Sequence, residues 1–227
     1  MGTSPIAPAR RTSADMVFER LYDDIVTLEL LPGSKLSEAD VAIQFGVSRQ
    51  PVRDAFNRLG SRGLLRIQPQ RATLVEKFSS SGLEAVRFVR LSIEIEMVKV
   101  ATANWQDANR GVFDAILDAQ AKAVEEHDVR SFHTLDEDFH RAISNVARTP
   151  EAFNLVLQKK AQVDRLCVLS LKQPHEMLEL VNDHRIIYTS LTQGDEKQAE
   201  HVMREHLTRI DKTIRKVKQQ YADYFED

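Results

Sequence analysis

The stretch from Ser37 to Leu74, SEADVAIQFGVSRQPVRDAFNRLGSRGLLRIQPQRATL, constrains the fold more than any other part of the chain. Its apolar residues recur first at helical spacing and then in alternation. This predicts a short helix, a tight corner at Phe45-Gly46-Val47, a second helix and a pair of short strands. That order is a winged helix-turn-helix. Gly46 supplies the positive φ that a sharp helix-helix corner requires, and Val47 is an apolar plug beside it. Ser48 is placed to cap the second helix, whose first turn tolerates Pro51 because the backbone N–H groups there have no partner inside the helix. In that helix Val52, Ala55, Phe56 and Leu59 share one face, while Arg49, Gln50, Arg53 and Asn57 share the other. The inner face holds the helix to its domain and the outer face is free to read something.

Charge says what that something is. Between Ser48 and Arg71 the arginines 49, 53, 58, 62, 66 and 71 face Asp54 alone, a local balance of +5 in a chain whose total is −3. A basic island in an acidic protein is the footprint of a domain that meets phosphates. Arginine matters here, because its planar fork takes both acceptors on a guanine edge in the major groove. A solvated helix face would show the same arginines, but not the corner, cap and wing together.

The residues resemble a family. Leu31-Pro32-Gly33, Leu36-Ser37-Glu38, the run Gly46 to Ala55 and Gly63-Leu64-Leu65 follow, in order and spacing, the DNA-binding domain of GntR-type bacterial transcription regulators. The resemblance implies that Arg49, Arg53 and the Pro69-Gln70-Arg71 corner contact operator DNA. With Ser48, Gln50 and Asn57 on the same helix, they form the candidate DNA-binding set. Ala72 departs from the glycine usual in the wing, and Ala39 stands where some members carry a further arginine.

At 227 residues and 42% apolar composition the chain is long enough for two cores. Met1 to Thr12 reads as a flexible arm, 13–77 as the winged helix-turn-helix, 78–81 as a linker and 82–223 as a second domain. The first helix is expected over Ser13 to Leu30, and the wing strands over Leu64 to Ile67 and Ala72 to Val75. No 18-residue apolar run or hydrophobic leader is evident, so neither a membrane span nor secretion is expected. The single cysteine, Cys167, excludes an intramolecular disulfide and fits a reducing cytoplasm.

Beyond residue 81 the pattern is helical throughout, over about 81–104, 106–126, 128–147, 151–170, 174–192 and 195–221. Six antiparallel helices on short loops make a bundle, so the fold class is mainly α. Asp136 and His140 stand at i and i+4 and project from one helix face. His184 and His206 sit in apolar stripes that face inward. Buried imidazoles beside a carboxylate are either satisfied core groups or metal ligands, and two inward histidines with an Asp-x3-His pair favour ligation. His133, one turn before Asp136, is open as a further ligand. Three imidazoles and a carboxylate suit Zn²⁺, Ni²⁺ or Mn²⁺ better than Ca²⁺ or Mg²⁺. Arg90 interrupts the stripe Leu83, Val86, Ile93, Met97, where an arginine is costly unless paired. A salt bridge to Glu94 and a clamp on an effector carboxylate both answer that cost, and Arg165 is a second candidate of the same kind.

Arg90-x-x-Ile93-Glu94, Asp136-x3-His140, Asp183-His184 and Glu205-His206-Leu207 resemble the FCD ligand-binding domain of the FadR branch of the same regulators, and six helices resemble its VanR subgroup. The resemblance implies a divalent metal on Asp136, His140, His184 and His206, with a small carboxylate as effector. The leading expectation is a metabolite-responsive repressor, not an enzyme, that binds a palindromic operator as a homodimer, because one recognition helix covers only a few base pairs. A constitutive DNA-binding protein with a structural metal, or a metal-dependent enzyme fused to a DNA-binding domain, remains open on the residues alone.

Overall fold

The computed structural model describes residues 11–68, 71–171 and 174–226. Most of the expected arm and the Pro69-Gln70 part of the wing lie outside them. Thr12, placed by the sequence in the arm, is the N-cap of α1 (Ser13–Val26), where it exchanges hydrogen bonds with Asp15 in a capping box. This helix ends four residues earlier than its periodicity suggests. Leu28 takes a left-handed backbone, φ 64°, which turns its side chain back into a small apolar cluster with Val26 and Val168.

Next come β1 (Lys35–Leu36), α2 (Glu38–Phe45), α3 (Arg49–Ser61), β2 (Leu65–Arg66) and β3 (Thr73–Val75). Gly46 closes α2 in the left-handed region at φ 64°. No atom lies within 4 Å of the Cβ it lacks, so backbone conformation and not crowding selects glycine there. Ser48 occupies the N-cap of α3 in extended geometry, but its hydroxyl makes no cap hydrogen bond. The sheet has three strands, not two: β3 pairs antiparallel with β2 (Leu65 opposite Val75) and with β1 (Leu36 opposite Thr73). A two-residue strand has no periodicity to read, which is why β1 escaped the sequence. Val17, Leu21, Ile25, Val52, Phe56 and Leu59 fill the core beneath.

The second body runs from α4 (Ser80–Ala103) through α5 (Arg110–Glu125), α6 (Val129–Val146), α7 (Pro150–Lys159), α8 (Ala161–Leu171), α9 (Pro174–Gln193), α10 (Glu196–Thr208) and α11 (Ile210–Gln220). The architecture is mainly α, as expected, but eight helical segments are described where six were expected. The patterns over 151–170 and 195–221 each break at a single residue, Lys160 and Arg209. Neither break has a glycine or proline. At each break a cation pairs with a buried acid, Lys160 with Asp164 and Arg209 with Asp183. Val98, Phe113, Phe139, Ile143, Phe153 and Ile187 build the main core.

The segment between the two bodies is itself packed. Phe78 is wholly buried, its N–H donates to the Tyr224 carbonyl at 2.8 Å, and its carbonyl accepts from the Glu226 N–H at 3.0 Å. The Phe225 ring lies 5.2 Å from that of Phe78, and the Arg165 guanidinium covers the same ring at 4.7 Å. The chain's end is thereby strapped across the junction. Truncating Phe78 to alanine removes a fully enclosed ring, and urea unfolding should register a loss of about 3–5 kcal/mol.

Candidate metal centre and nucleic-acid interface

Four side chains from three helices converge inside the bundle. Asp136 and His140 come from α6, one turn apart; His184 from α9; His206 from α10. One ligating atom from each lies within 4.8 Å of the others. The Nε2 atoms of His140 and His206 are 3.2 Å apart, and His184 Nε2 is 3.5 Å from Asp136 Oδ1. The histidines are buried, while Asp136 is about one-fifth open on the cavity side.

Each imidazole has a polar side chain behind it. His140 Nδ1 lies 2.6 Å from Glu94 Oε2, His184 Nδ1 is 3.0 Å from Gln120 Oε1, and His206 Nδ1 is 3.4 Å from Asp183 Oδ2. The Gln120 contact is a hydrogen bond, and an acceptor at Nδ1 keeps the proton there and turns the Nε2 lone pair of His184 toward the common centre, whereas His206 Nδ1 has no hydrogen-bond partner among the described residues. Phe139 stacks on His184 at 4.0 Å and fixes its plane. His184 Nε2 has no hydrogen-bond partner among the described residues, which in a core calls for an occupant. Two nitrogens at about 2.0–2.1 Å from one ion and roughly 100° apart would be separated by about 3.2 Å, so the residues present fit a divalent metal. Three nitrogens and one oxygen, open on one side, match the donor set of Zn²⁺, Ni²⁺ or Mn²⁺.

Electrostatics agree. Burial lowers the proton affinity of His184 well below its ordinary value, and the neighbouring His206 adds to that. Burial also lowers His206, against the opposing pull of Asp183. Burial alone would raise Asp136, but the surrounding imidazoles outweigh it and hold the carboxyl below the usual range. The directions for His184, His206 and Asp136 favour neutral imidazole and ionised carboxylate, the forms that bind a metal.

Beside the centre is a cavity of about 240 Å³, walled by Asp136 and His206 and by the cations Arg90, Lys160 and Arg209. Drug-sized sites run to about 300–1,000 Å³, so this one suits a small metabolite. Arg90 answers both sequence readings at once: its Nε is bonded to Glu94 Oε1 at 2.6 Å, and it also lines the cavity. The structure does not bring Arg165 to the same place. Arg165 is wholly buried against Phe78 and Gln162 at the junction, away from the cavity wall. His133 pairs with Asp164 at 3.1 Å and is a wall residue, outside the cluster of four.

Sequence reasoning missed Gln120 and Lys160. Gln120 is fully buried and interrupts the apolar stripe Phe113, Leu117, Val124, the same signal that singled out Arg90. Lys160 is one of a lysine doublet, and nothing local says which of the two turns inward.

On the first body, Ser48, Arg49, Gln50, Arg53 and Asn57 are exposed along the outer side of α3, and Arg71 is exposed at the wing. Gln70 lies outside the described residues. The arginines divide. Arg58 pairs with Asp15 at 2.8 Å and covers the Phe18 ring, Arg62 covers Phe18 and Tyr22, and Arg66 pairs with Glu76. These three support the domain. Arg53 is held by a two-point contact with Glu38, at 3.0 and 3.3 Å, and Gln50 bonds Asp54. Arg49 has no side-chain partner among the described residues.

A winged helix-turn-helix joined to a helical bundle is the architecture of a DNA-binding regulator. Residues 13–75 match the family model described as bacterial regulatory proteins, gntR family, and residues 85–209 match that of the FCD domain. The chain belongs to the GntR family, in its FCD-containing form, and is a transcriptional regulator that binds operator DNA through its helix-turn-helix. It is 32% identical over 213 residues to the HTH-type transcriptional repressor RspR of Escherichia coli K12, covering 93% of this chain and 92% of that protein. A probable D-xylose utilization operon transcriptional repressor of Paenarthrobacter nicotinovorans is 28% identical, covering 87% of each chain. The solved structure of E. coli McbR/YncC shares the fold, with a TM-score of 0.78 at 22% identity over 93% of this chain and 100% of that one. No helix among the described residues is long and apolar enough to cross a membrane.

The shifts of His184 and His206 set a pH dependence. Both have folded values below the ordinary 6.5, so the unfolded chain takes up protons that the folded rings refuse as pH falls below that value. The metal-free protein should be most stable above about pH 6.5 and melt at progressively lower temperature toward pH 5.5, read by circular dichroism.

Proposed function

We propose that this regulator is a repressor that acts in the cytoplasm as a homodimer on a palindromic operator and is controlled by a small carboxylate. The carboxylate binds beside a divalent metal, Zn²⁺, Ni²⁺ or Mn²⁺, held by Asp136, His140, His184 and His206. The observation that carries this reading is the convergence of Asp136, His140, His184 and His206, with ligand atoms within 4.8 Å of one another, beside a cavity that Asp136, His206 and Arg90 line. The metal supplies a Lewis-acidic position for one carboxylate oxygen. Arg90, anchored through Nε by Glu94, presents its remaining N–H groups to the other oxygen. Lys160 and the burial of the site strengthen both contacts by excluding water. The names of the relatives, two of them repressors, support the sign of regulation.

On the DNA side, Arg49 and Arg53 read base edges from the exposed face of α3, with Ser48, Gln50 and Asn57 beside them and Gln70 and Arg71 following the backbone from the wing. Glu38 holds Arg53 extended before DNA arrives, which lowers the entropy lost on docking. Two copies of the head supply the affinity that a single helix lacks.

An operator fragment selected from random DNA allows both halves to be tested. Arg53→Ala should weaken binding to that fragment by about 10-fold or more while metal content, measured by elemental analysis, stays at the wild-type level. His184→Ala should lose the metal and keep the DNA; a His184→Ala protein with full metal occupancy would overturn the assignment. Gln120→Ala leaves all four ligands in place and should weaken metal affinity by about 10–100-fold in competition with a chelator. Screening small carboxylic acids by thermal shift on the metal-loaded protein addresses the effector: a stabilising acid should lose its effect in Arg90→Met. If no acid in a broad panel stabilises the protein, the purely structural metal is favoured.

A further inference from the structure

The first turn of α8 has two working faces. Toward the bundle, Lys160, Val163 and Asp164 belong to the cavity wall. Lys160 is 4% exposed, and its ammonium lies 2.9 Å from Asp164 Oδ1 and 3.5 Å from Glu137. Asp164 Oδ1 also meets His133, while Asp164 Oδ2 is buried with no hydrogen-bond partner among the described residues. Toward the DNA-binding head, Ala161 is wholly buried in the core formed by α1, α3 and the wing. Gln162 donates from Nε2 to the carbonyl of Gly63, in the turn that leads into β2. Arg165 covers Phe78 at the junction. Five consecutive residues, 160 to 164, therefore divide between the cavity and the head, because neighbours on a helical turn face different sides.

The turn lies at a boundary between helices: α7 stops at Lys159 and α8 begins at Ala161, with the Lys160 N–H donating to the Val156 carbonyl and the Asp164 N–H to the Lys160 carbonyl. Gly63, its partner across the junction, has φ 69°, and no atom lies within 4 Å of the Cβ it lacks.

We propose that this turn is the transmission element of the regulator, with the Lys160–Asp164 ion pair as its cavity-side trigger and Ala161 and Gln162 as its contacts on the DNA-binding head. An anion in the cavity competes with Asp164 for the Lys160 ammonium. Asp164, deprived of that partner, is a buried carboxylate with one unbonded oxygen, and the turn shifts to relieve it. Ala161 and Gln162 move with it and press on the wing turn at Gly63. The choice of an anion rests on the proposed effector reading. The mechanical link does not, since it is a property of the chain without ligand.

Hydrogen exchange on the full-length, ligand-free protein tests the link. Lys160→Met and Asp164→Asn, which break the trigger on the cavity side, should speed amide exchange of residues 59–66 by at least about three-fold. Lys160→Arg, which keeps the charge, should retain the wild-type rate, and Glu179→Gln, on the opposite wall of the same cavity, should leave residues 59–66 unchanged. Exchange within residues 94–101 of α4 serves as the internal measure of an intact bundle. In Lys160→Met/Gln162→Ala the two changes should be non-additive, since both cut the same connection. Unaltered exchange at 59–66 in whichever of the two trigger variants keeps the bundle intact, or an equal change in Glu179→Gln, overturns the proposal. Loss of the bundle in both, with Lys160→Arg intact, would make the pair a fold determinant and overturn it too. None of these outcomes depends on whether a small acid binds, so failure of the effector reading is read separately in the thermal-shift screen.

Discussion

Three imidazoles buried in a helical core and turned toward one point make the bundle depend on how their nitrogens are satisfied. A neutral ring has one donor and one acceptor, and in a core each needs a partner. Glu94, Gln120 and Asp183 lie at the three Nδ1 atoms. They come from α4, α5 and α9, so the polar shell around the centre ties together helices that the apolar core also joins. The shell has a further layer. Asp183 is bound at two points by Arg209, at 2.6 and 2.8 Å, and Glu94 is bound by Arg90. Each of these arginines is a wall residue of the cavity, so what the cavity holds and how the rings are oriented are parts of one network.

Two helix breaks lie beside that network. A continuous helix over 151–170 or 195–221 would satisfy local propensity, yet each is interrupted at a cation that turns toward acids inside the bundle. The breaks give α8 and α11 the freedom to follow surfaces that the parent helices could not reach. Helix α8 lies against α1 of the DNA-binding head, and the chain beyond α11 is strapped to Phe78. The two bodies are therefore joined by packing at these two places and not by a tether alone, which is what a regulator needs if events in one are to be felt in the other.

The DNA-facing surface shows the same economy of function. Of six arginines between Ser48 and Arg71, three brace the domain through ion pairs or aromatic faces, and Arg53 is held by Glu38. A count of charge along the sequence treats all six alike. What distinguishes them is whether an acid or a ring from a distant part of the chain lies within reach, as Asp15 and Phe18 of α1 do for Arg58.

The helix-turn-helix was legible in the sequence because its determinants are local. Gly46 at a left-handed corner, an amphipathic α3 and alternating apolar residues in the wing act over a few residues each, and so do the i, i+4 spacing of Asp136 and His140 and the inward stripes of His184 and His206. Those features decided the fold class, the exposed face of α3 and the candidate ligand set. Tertiary structure alone decided that β1 completes the sheet, that Gln120 supports His184, that Arg90 pairs and lines a cavity at once while Arg165 lies at the junction, and that helices break at Lys160 and Arg209. Each of these depends on a partner many residues away, and periodicity along a chain carries no record of which distant acid, ring or strand a residue will meet.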